Sequence, residues 1–144
     1  MVRAYGRGDF ERCAELFVEA YNGPPWYNQW TRKTAERRLG ELTGASRAVG
    51  FVNLCDGEIV GAAFGYEKTW WKGDELYIEE FYVSPRFQGQ GYGSALFTAV
   101  EKYAAERSLS CLTLLTDRRK PAYGFYEKNG MACLEQIGLM YKRI

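Results

Sequence analysis

Residues 83–94 read Val83-Ser84-Pro85-Arg86-Phe87-Gln88-Gly89-Gln90-Gly91-Tyr92-Gly93-Ser94, so that three alternating glycines stand between an apolar run and a helical pattern. Glycines allow a tight turn and let a ligand come close to the backbone amides. The free N–H groups of the first helical turn and the positive end of the helix dipole favour a phosphate or a pyrophosphate. We therefore predict an anion-binding loop that leads into a helix.

The segments on either side of this loop predict alternating strands and helices. Glu75–Val83 is rich in β-branched and aromatic residues and stops just before a proline, which is typical of a central strand. Gly91–Arg107 carries apolar residues at helical spacing, and Cys111–Thr116 is a short apolar run of the buried parallel kind. Pro121 suits the first turn of a further helix, which Asn129-Gly130 ends.

The upstream part of the chain predicts a short extended segment, two helices and then a hairpin. The second of these helices begins at Thr31, a residue that favours helix N-termini. The hairpin strands, Ala48–Cys55 and Glu58–Tyr66, are joined by Asp56-Gly57, the two-residue signal for a type I′ turn. At the other end of the chain, Met131–Ile144 predicts one or two closing strands. The element order predicts an α/β fold with a mixed, mostly antiparallel central sheet flanked by about four helices.

The amino-acid composition excludes several classes of function. The 144 residues are 47% hydrophobic and 26% charged, the balance of one globular domain, so we predict a single domain over residues 1–144. A net charge of +1 lacks the basic excess of a general nucleic-acid binder. No apolar run reaches the length of a signal peptide or a membrane span, which predicts a cytoplasmic protein with no membrane partner. The absence of histidine excludes Ser-His-Asp and Cys-His catalysis, and four widely spaced cysteines without a CxxC pair predict no metal site.

Besides an anion-binding loop, the glycine pattern has three other interpretations. A Walker-type phosphate loop is excluded because no Gly-Lys-Ser/Thr follows the glycines. Gly89, Gly91 and Ser94 imitate a dinucleotide fingerprint, with Asp117 beyond the next strand, but too few residues follow for the remaining parallel strands of that fold. A plain connection between a strand and a helix stays open.

Two motifs at a fixed separation resemble a known family. Gln88, Gly91 and Gly93 match Gln/Arg-x-x-Gly-x-Gly/Ala, and a later Ala-x-x-x-Tyr-x-x-x-Gly pattern is met at Ala122, Tyr126 and Gly130, followed by Met131. On these residues, the segment from Glu75 to Met131 resembles the GNAT superfamily of acetyl-CoA-dependent N-acetyltransferases. Within it, Tyr77–Val83 is similar to the central strand of spermidine/spermine acetyltransferases, which carries an acidic pair at the same place.

The resemblance implies acetyl-CoA as the cofactor and assigns residues to it. The backbone of Phe81, Tyr82 and Val83 would pair with the pantetheine arm like an added strand. Arg119 stands where family members often have an asparagine and would meet a phosphate instead. The pyrophosphate would lie against the amides of the loop, which comprises Gln88, Gly89, Gln90, Gly91, Tyr92, Gly93 and Ser94.

The resemblance also implies catalytic residues. Strand alternation places Tyr77, Glu79, Phe81 and Val83 on one face unless a bulge intervenes. We predict Glu79 as the base that handles the amine proton through water, with Glu80 as the second candidate, because a carboxylate in so apolar a run is costly. Both could instead be strand-edge charges that pair with nearby cations. Tyr126 matches the family tyrosine that protonates the departing thiolate.

Aromatic and acidic residues predict the acceptor side. Aromatic faces beside carboxylates suit a cationic amine, so we predict a small-molecule amine substrate bound by Trp26, Tyr27, Trp30 and Trp71. The same tryptophans could close the core or a dimer interface, and a homodimer is a further expectation of the resemblance. The basic cluster Arg32, Lys33, Arg37 and Arg38 is interpreted as a solvated helix face. A non-catalytic acyl-CoA-binding module and a partner-binding module are the alternatives to an enzyme.

Overall fold

One five-stranded sheet with helices on both faces makes up the structure, a computed structural model that describes residues 1–144. Two 3-10 turns, Arg7–Asp9 and Pro85–Phe87, complete the regular elements. The strands are β1 (Val2–Ala4), β2 (Ala48–Cys55), β3 (Glu58–Lys68), β4 (Glu75–Val83) and β5 (Leu112–Leu114), and the helices are α1 (Phe10–Asn22), α2 (Arg32–Thr43), α3 (Tyr92–Glu106) and α4 (Pro121–Lys128).

The sheet is mixed, and its strands follow one another in chain order. β1 to β4 pair antiparallel with their neighbours, whereas β5 runs parallel to β4. At the turn between β2 and β3, Asp56 and Gly57 have φ values of 48° and 81°, which are the two positive angles of a type I′ turn. The predicted fold class and the predicted hairpin are confirmed. No helix has both the length and the apolarity needed to cross a bilayer.

Each face of the sheet has its own apolar layer. On one face, α1 and α2 bury Phe17, Leu16 and Leu39 against β2, β3 and Tyr82 of β4. On the other face, α3 buries Leu96 and Phe97, and the aromatic rings of α4 pack against them. The sheet therefore presents different side chains to the two helical layers, and β4 lies in contact with both.

A β-bulge interrupts β4 at Glu79. Opposite β3, Ile78 pairs with Gly65 and Glu80 pairs with Phe64, so Glu79 is an extra residue without a partner. The extra residue reverses the alternation, and Phe81 therefore lies on the α3 face together with Ile78. The expectation that Glu79 shares a face with Phe81 is thus wrong, and Glu79 instead lies on the same side as Glu80.

β4 separates from β5 directly after the paired segment. The parallel pairing covers only Leu76–Ile78 of β4 against Leu112–Leu114 of β5. From Glu80 to Val83, β4 keeps its antiparallel partner β3 but has no neighbour on its other edge. The two strands therefore open into a V-shaped gap, and the bulge lies where the gap begins.

The chain after α4 does not form the predicted closing strands. Residues 131–144 contain no strand, and the one backbone hydrogen bond within this segment joins the Ile137 amide to the Leu134 carbonyl in a turn. Large apolar side chains such as Met140 and Tyr141 are exposed, at 92% and 80%. The prediction rested on the β-type composition of this segment. It is wrong because a strand needs a paired neighbour, and this segment has none in the structure.

A buried ion pair holds α3 against the sheet. Glu67 of β3 is 5% exposed and accepts hydrogen bonds from the Tyr103 hydroxyl (2.6 Å) and from Nε of Arg107 (2.9 Å). A guanidinium nitrogen of Arg47 donates a further bond at 2.8 Å. The hydrogen bonds from Arg107, followed by the one from Tyr103, lower the pKa of Glu67 to about 2. The contact fixes the C-terminal half of α3 and thereby the direction in which the helix N-terminus points.

The bulge depends on a glycine, which gives a direct test. A Cβ on Gly65 would overlap with the Tyr77 carbonyl oxygen, a backbone atom that cannot rotate away. Gly65→Ala should therefore lower the free energy of unfolding by about 1–3 kcal/mol, as overpacking does. Gly40→Ala is the matched control, since a Cβ there meets nothing within 4 Å and α2 should become slightly more stable. Thermal unfolding of both variants measures this, and an unchanged midpoint for Gly65→Ala would contradict the bulge geometry.

Candidate active site

The V-shaped gap contains two adjoining cavities of about 570 Å³ and 550 Å³. The first lies against the glycine loop and the start of α3, and we call it the loop cavity. The second lies against Glu79, Glu80 and Asp117, and we call it the acidic cavity. Both cavities share five lining residues, namely Tyr21, Trp26, Phe81, Ala122 and Tyr126. A molecule in one cavity would therefore meet a molecule in the other beside Phe81 and Tyr126.

The loop cavity has a row of free backbone amides. The first hydrogen bond of α3 is donated by Ala95 to Gly91, and the amides of residues 88–94 donate to no protein group. Gly89 and Gly91 have φ values of 72° and 88°, a left-handed conformation that turns successive N–H groups towards one side. Because unpaired amides at a helix N-terminus attract anions, the loop can hold a phosphate or a pyrophosphate.

The free edge of β4 adds donors and acceptors in an extended line. The Ser84 amide donates to Val60 of β3, so the backbone groups of Val83 and Phe81 point to the opposite edge. Their carbonyls meet only side chains there, the Gln88 amide at 3.1 Å and the Tyr21 hydroxyl at 3.4 Å. An extended ligand with amide groups can pair with this edge as an additional strand would. Together with the loop, the edge fits a ligand that carries both amides and a pyrophosphate, as acetyl-CoA does.

The acidic cavity contains two carboxylates that share one guanidinium. Arg38 of α2 donates from Nη2 to Glu79 Oε2 (2.8 Å) and from Nε to Glu80 Oε1 (3.1 Å). The bulge makes this possible because it places two consecutive residues of β4 on the side of α2. The cluster carries one positive charge for two carboxylates and is net negative when both are ionised. It suits a cation or a proton.

Glu80 is the more deeply buried of the two carboxylates. Its side chain is 14% exposed, against 27% for Glu79. Burial raises the pKa of Glu80 above its usual range, while Tyr21 and Arg38 oppose the rise. A buried carboxyl whose pKa is raised by its surroundings is typical of a residue that takes up and releases a proton.

Tyr126 stands where the two cavities meet, within a cluster of aromatic rings. Its ring centroid is 6.0 Å from that of Phe81 and 6.2 Å from that of Phe97. Burial raises the pKa of Tyr126 above its ordinary value, and the charge of Glu80 raises it further. The phenol is therefore protonated at neutral pH and can donate a proton to an anion formed beside it.

The α1–α2 connection covers the site from one side. Trp26 in this connection lines both cavities. The Lys120 ammonium, at the start of α4, donates to the Pro25 carbonyl at 2.9 Å and thereby links the two sides of the gap. Asp117 lines the acidic cavity, and Arg119 pairs with its carboxylate at 3.0 Å. Arg119 is not among the residues that line the loop cavity, and its contact with a phosphate stays a prediction.

The structure brings most of the predicted site residues together. Glu79, Glu80 and Tyr126 line the acidic cavity, and most of the predicted cofactor-binding residues line the loop cavity, which are Phe81, Tyr82, Val83, Gln88, Gly89, Gly91, Gly93 and Ser94. Gln90 and Tyr92 are in the loop, but their side chains face elsewhere: Gln90 donates to the Arg86 carbonyl, and the Tyr92 ring packs on Phe87.

Three of the four aromatic residues predicted to bind substrate lie away from both cavities. Tyr27 and Trp71 are exposed, at 70% and 80%, and Trp30 packs its ring against Phe17 in the core at 4.9 Å. Only Trp26 lines the site. The prediction failed for the others because nearness along the chain does not state which way a ring points in an irregular loop.

Sequence reasoning missed Tyr21 and Arg38. Arg38 was assigned to a solvated helix face, whereas its side chain is 28% exposed and reaches β4. A signal was present, because Arg38 follows Ala35 by three residues and precedes Leu42 by four, and both of these are buried. Tyr21 likewise follows the buried Phe17 by four residues, so helical spacing could have placed both side chains at the edge of the core.

Comparisons with known proteins agree with this geometry. Residues 10–131 match the family model described as "Acetyltransferase (GNAT) family". A thialysine N-epsilon-acetyltransferase of Bos taurus is 38% identical over 61 residues, which are 42% of this chain and 36% of that protein. An uncharacterized N-acetyltransferase of Methanocaldococcus jannaschii is 28% identical over 141 residues, which cover 90% of this chain and 59% of that protein. The chain thus spans well under two thirds of the length of both relatives.

Solved structures share the fold at low sequence identity. An aminoglycoside acetyltransferase from an uncultured soil metagenomic sample, in complex with trehalose, superposes with a TM-score of 0.78 and 20% identity, covering 100% of this chain and 95% of that one. The structure of AAC(6')-Iy in complex with a CoA-containing bisubstrate analogue gives a TM-score of 0.77 and 17% identity, covering 100% and 98%. At such identities the likeness concerns the fold.

Proposed function

Because the chain belongs to the GNAT family of acetyltransferases, we propose that it is an N-acetyltransferase that moves the acetyl group of acetyl-CoA directly to a primary amine of a small cationic substrate. The observation that carries the proposal is the meeting of two unlike cavities beside Phe81 and Tyr126. One offers unpaired amides for an anion, and the other offers carboxylates for a cation. A direct transfer needs this contact between donor and acceptor sites.

The donor side follows from the loop and the free strand edge. The amides of residues 88–94 would hold the pyrophosphate of acetyl-CoA, and the edge at Phe81 and Val83 would pair with its pantetheine arm. Bound there, acetyl-CoA supplies an acetyl thioester to the amine. The Val83 amide points to the same edge and would donate to the negative charge that develops on the acetyl oxygen.

The acceptor side follows from the charge of the acidic cavity. Glu79, Glu80 and Asp117 line it. These three carboxylates pair with only two guanidinium groups, those of Arg38 and Arg119, so the cluster is net negative when all three are ionised. Trp26 adds an aromatic face, which attracts cations. The names of the relatives, a thialysine N-epsilon-acetyltransferase and an aminoglycoside acetyltransferase, support an amine acceptor of this kind.

Two groups of the chain would move protons. An ammonium must lose a proton before its nitrogen can attack, and either Glu80 directly or Glu79 through water would take it. Burial raises the pKa of Glu80 and the charge of Glu79 raises it further, which favours Glu80 for this role. Tyr126 would give its proton to the departing thiolate, since the phenol is protonated and borders both cavities. The attacking nitrogen loses a second proton as the amide forms, and this proton would restore the phenol of Tyr126.

Acetyl-CoA binding and acetyl transfer test the proposal together. Thermal unfolding should shift to higher temperature with acetyl-CoA and not with NAD or ATP, because only a ligand that binds the folded state raises the midpoint. A panel of diamines, aminoglycosides, amino acids and peptide N-termini should then show transfer to the cationic small molecules. A shift without transfer to any amine would favour a non-catalytic acyl-CoA-binding module, and no shift would contradict the donor site.

Tyr126→Phe tests the proton donor. Removal of the hydroxyl should lower kcat by about 100-fold, the lower end of the usual contribution of an acid catalyst, with little change in the affinity for acetyl-CoA. Tyr123→Phe on the same helix is the matched control, because Tyr123 lines neither cavity. Steady-state kinetics and a binding titration measure the two effects, and equal losses of turnover and affinity would contradict the acid role.

The pH dependence of kcat/KM separates the two carboxylates. If Glu80 is the base, Glu80→Gln should move the acidic limb of the profile to higher pH. Glu79→Gln should then move the limb to lower pH, since the charge of Glu79 raises the pKa of Glu80 and its removal leaves Arg38 to Glu80 alone. An alkaline shift in Glu79→Gln would instead assign the base to Glu79, as the sequence predicts.

A further inference from the structure

The guanidinium of Arg38 forms hydrogen bonds of unequal length with the two carboxylates of the acidic cavity. Its Nη2 donates to Glu79 at 2.8 Å, whereas its Nε donates to Glu80 at 3.1 Å. Glu79 is the more exposed partner, at 27%, and Glu80 lies deeper, at 14%. One cation therefore forms the shorter ion pair with the outer carboxylate, while the inner carboxylate lies near Tyr21 and Tyr126, which line both cavities.

The inner carboxylate has a mixed set of neighbours. α1 contributes the Tyr21 hydroxyl and α2 contributes Arg38, while α4 contributes Tyr126. Arg38 is the sole cation among the groups that face Glu80, which are Tyr21, Arg38, Glu79, Tyr82 and Tyr126. Its charge must therefore offset both the burial of Glu80 and the repulsion from Glu79.

We propose that Arg38 is a positioning residue that holds Glu79 in a lasting ion pair and leaves Glu80 as the carboxylate that exchanges one proton with the acceptor amine. The inference rests on the proposed acetyltransferase function and adds a role for a side chain that lines neither cavity. It also explains why two consecutive carboxylates share one cation. With both ionised the cluster has a charge of −1, and with one proton bound it is neutral.

The proton step is balanced within this cluster. The acceptor ammonium loses one N–H bond, Glu80 gains one O–H bond, and no electrons are transferred between groups. The ion pair between Arg38 and Glu79 remains intact, so the neutral form of the cluster is not left with an unpaired cation. Glu80 then returns the proton to water before the next acceptor binds.

Carbon NMR titration of the free protein tests the inference without any substrate. The carboxyl carbons of Glu79 and Glu80 are assigned with Glu79→Gln and Glu80→Gln, and their titration is compared in the parent protein, Arg38→Gln and Arg38→Lys. We expect the midpoint of Glu80 to rise by about 1 pH unit or more in Arg38→Gln, the usual effect of losing an opposite charge at this distance. Arg38→Lys keeps the charge but lacks the fork that reaches two carboxylates, so it should give a smaller rise.

Arg37→Gln is the matched control on the same helix. Arg37 is 83% exposed and pairs only with Glu41 at 3.6 Å, so its loss should leave the Glu80 midpoint unchanged. An unchanged Glu80 midpoint in both Arg38 variants, with thermal unfolding showing that they are folded, would overturn the inference. A higher midpoint for Glu79 than for Glu80 in the parent protein would overturn it as well, because Glu79 would then be the carboxylate that exchanges the proton.

The pH dependence of kcat/KM in Arg38→Gln separates this inference from the proposed function. In Arg38→Gln, kcat/KM should fall about tenfold at pH values below the acidic limb and recover at high pH, since the limb moves with Glu80. A uniform loss at every pH would indicate that Arg38 only holds α2 against β4, and would overturn its role. Failure of the parent protein to acetylate any amine would contradict the proposed function, whereas the NMR titration decides the assignment of Arg38.

Discussion

The loss of one hydrogen-bonding neighbour along β4 is the constraint on which the rest of the site depends. β4 pairs with β5 only from Leu76 to Ile78, and on its other edge it keeps β3 as a partner on both sides of the bulge. The backbone groups of Phe81 and Val83 on the free edge are thereby left for something other than a strand to satisfy. The bulge at Glu79 lies at this branching point and needs Gly65 opposite, because the Tyr77 carbonyl leaves no room for a Cβ.

The two halves of the gap use different sources of charge. The loop cavity presents oriented backbone amides and the N-terminal end of the α3 dipole, which a fold can place without burying cationic side chains. The acidic cavity presents ionisable carboxylates, whose number and pairing decide how many protons they hold. The aromatic rings of Phe81 and Tyr126 lie between the two cavities. Water at this place would screen the electrostatic field of the amides in one cavity and of the carboxylates in the other.

Several elements could be predicted from the sequence because their signals are local. The type I′ turn needs positive φ at two adjacent residues, and Asp56-Gly57 tolerates both. The loop before α3 combines glycines with a helix start, and the motif that ends at Gly130 places Tyr126 on the next helix. The tail from Met131 was misread because β-type composition states a preference, while a strand exists only when another strand pairs with it.

The sequence by itself determined the fold class, the glycine loop before α3 and the position of Tyr126 on the helix after β5, since each follows from the spacing of neighbouring residues. Only the tertiary structure decided which side chains meet across the sheet. Strand alternation assigned Glu79 to the same face as Phe81, which is wrong. One inserted residue reverses the alternation, so residues after the bulge lie on the opposite face from the one that simple alternation predicts. Arg38 lies 41 residues from Glu79 along the chain, and no local pattern states that a helix and a bulge so far apart will share one ion cluster.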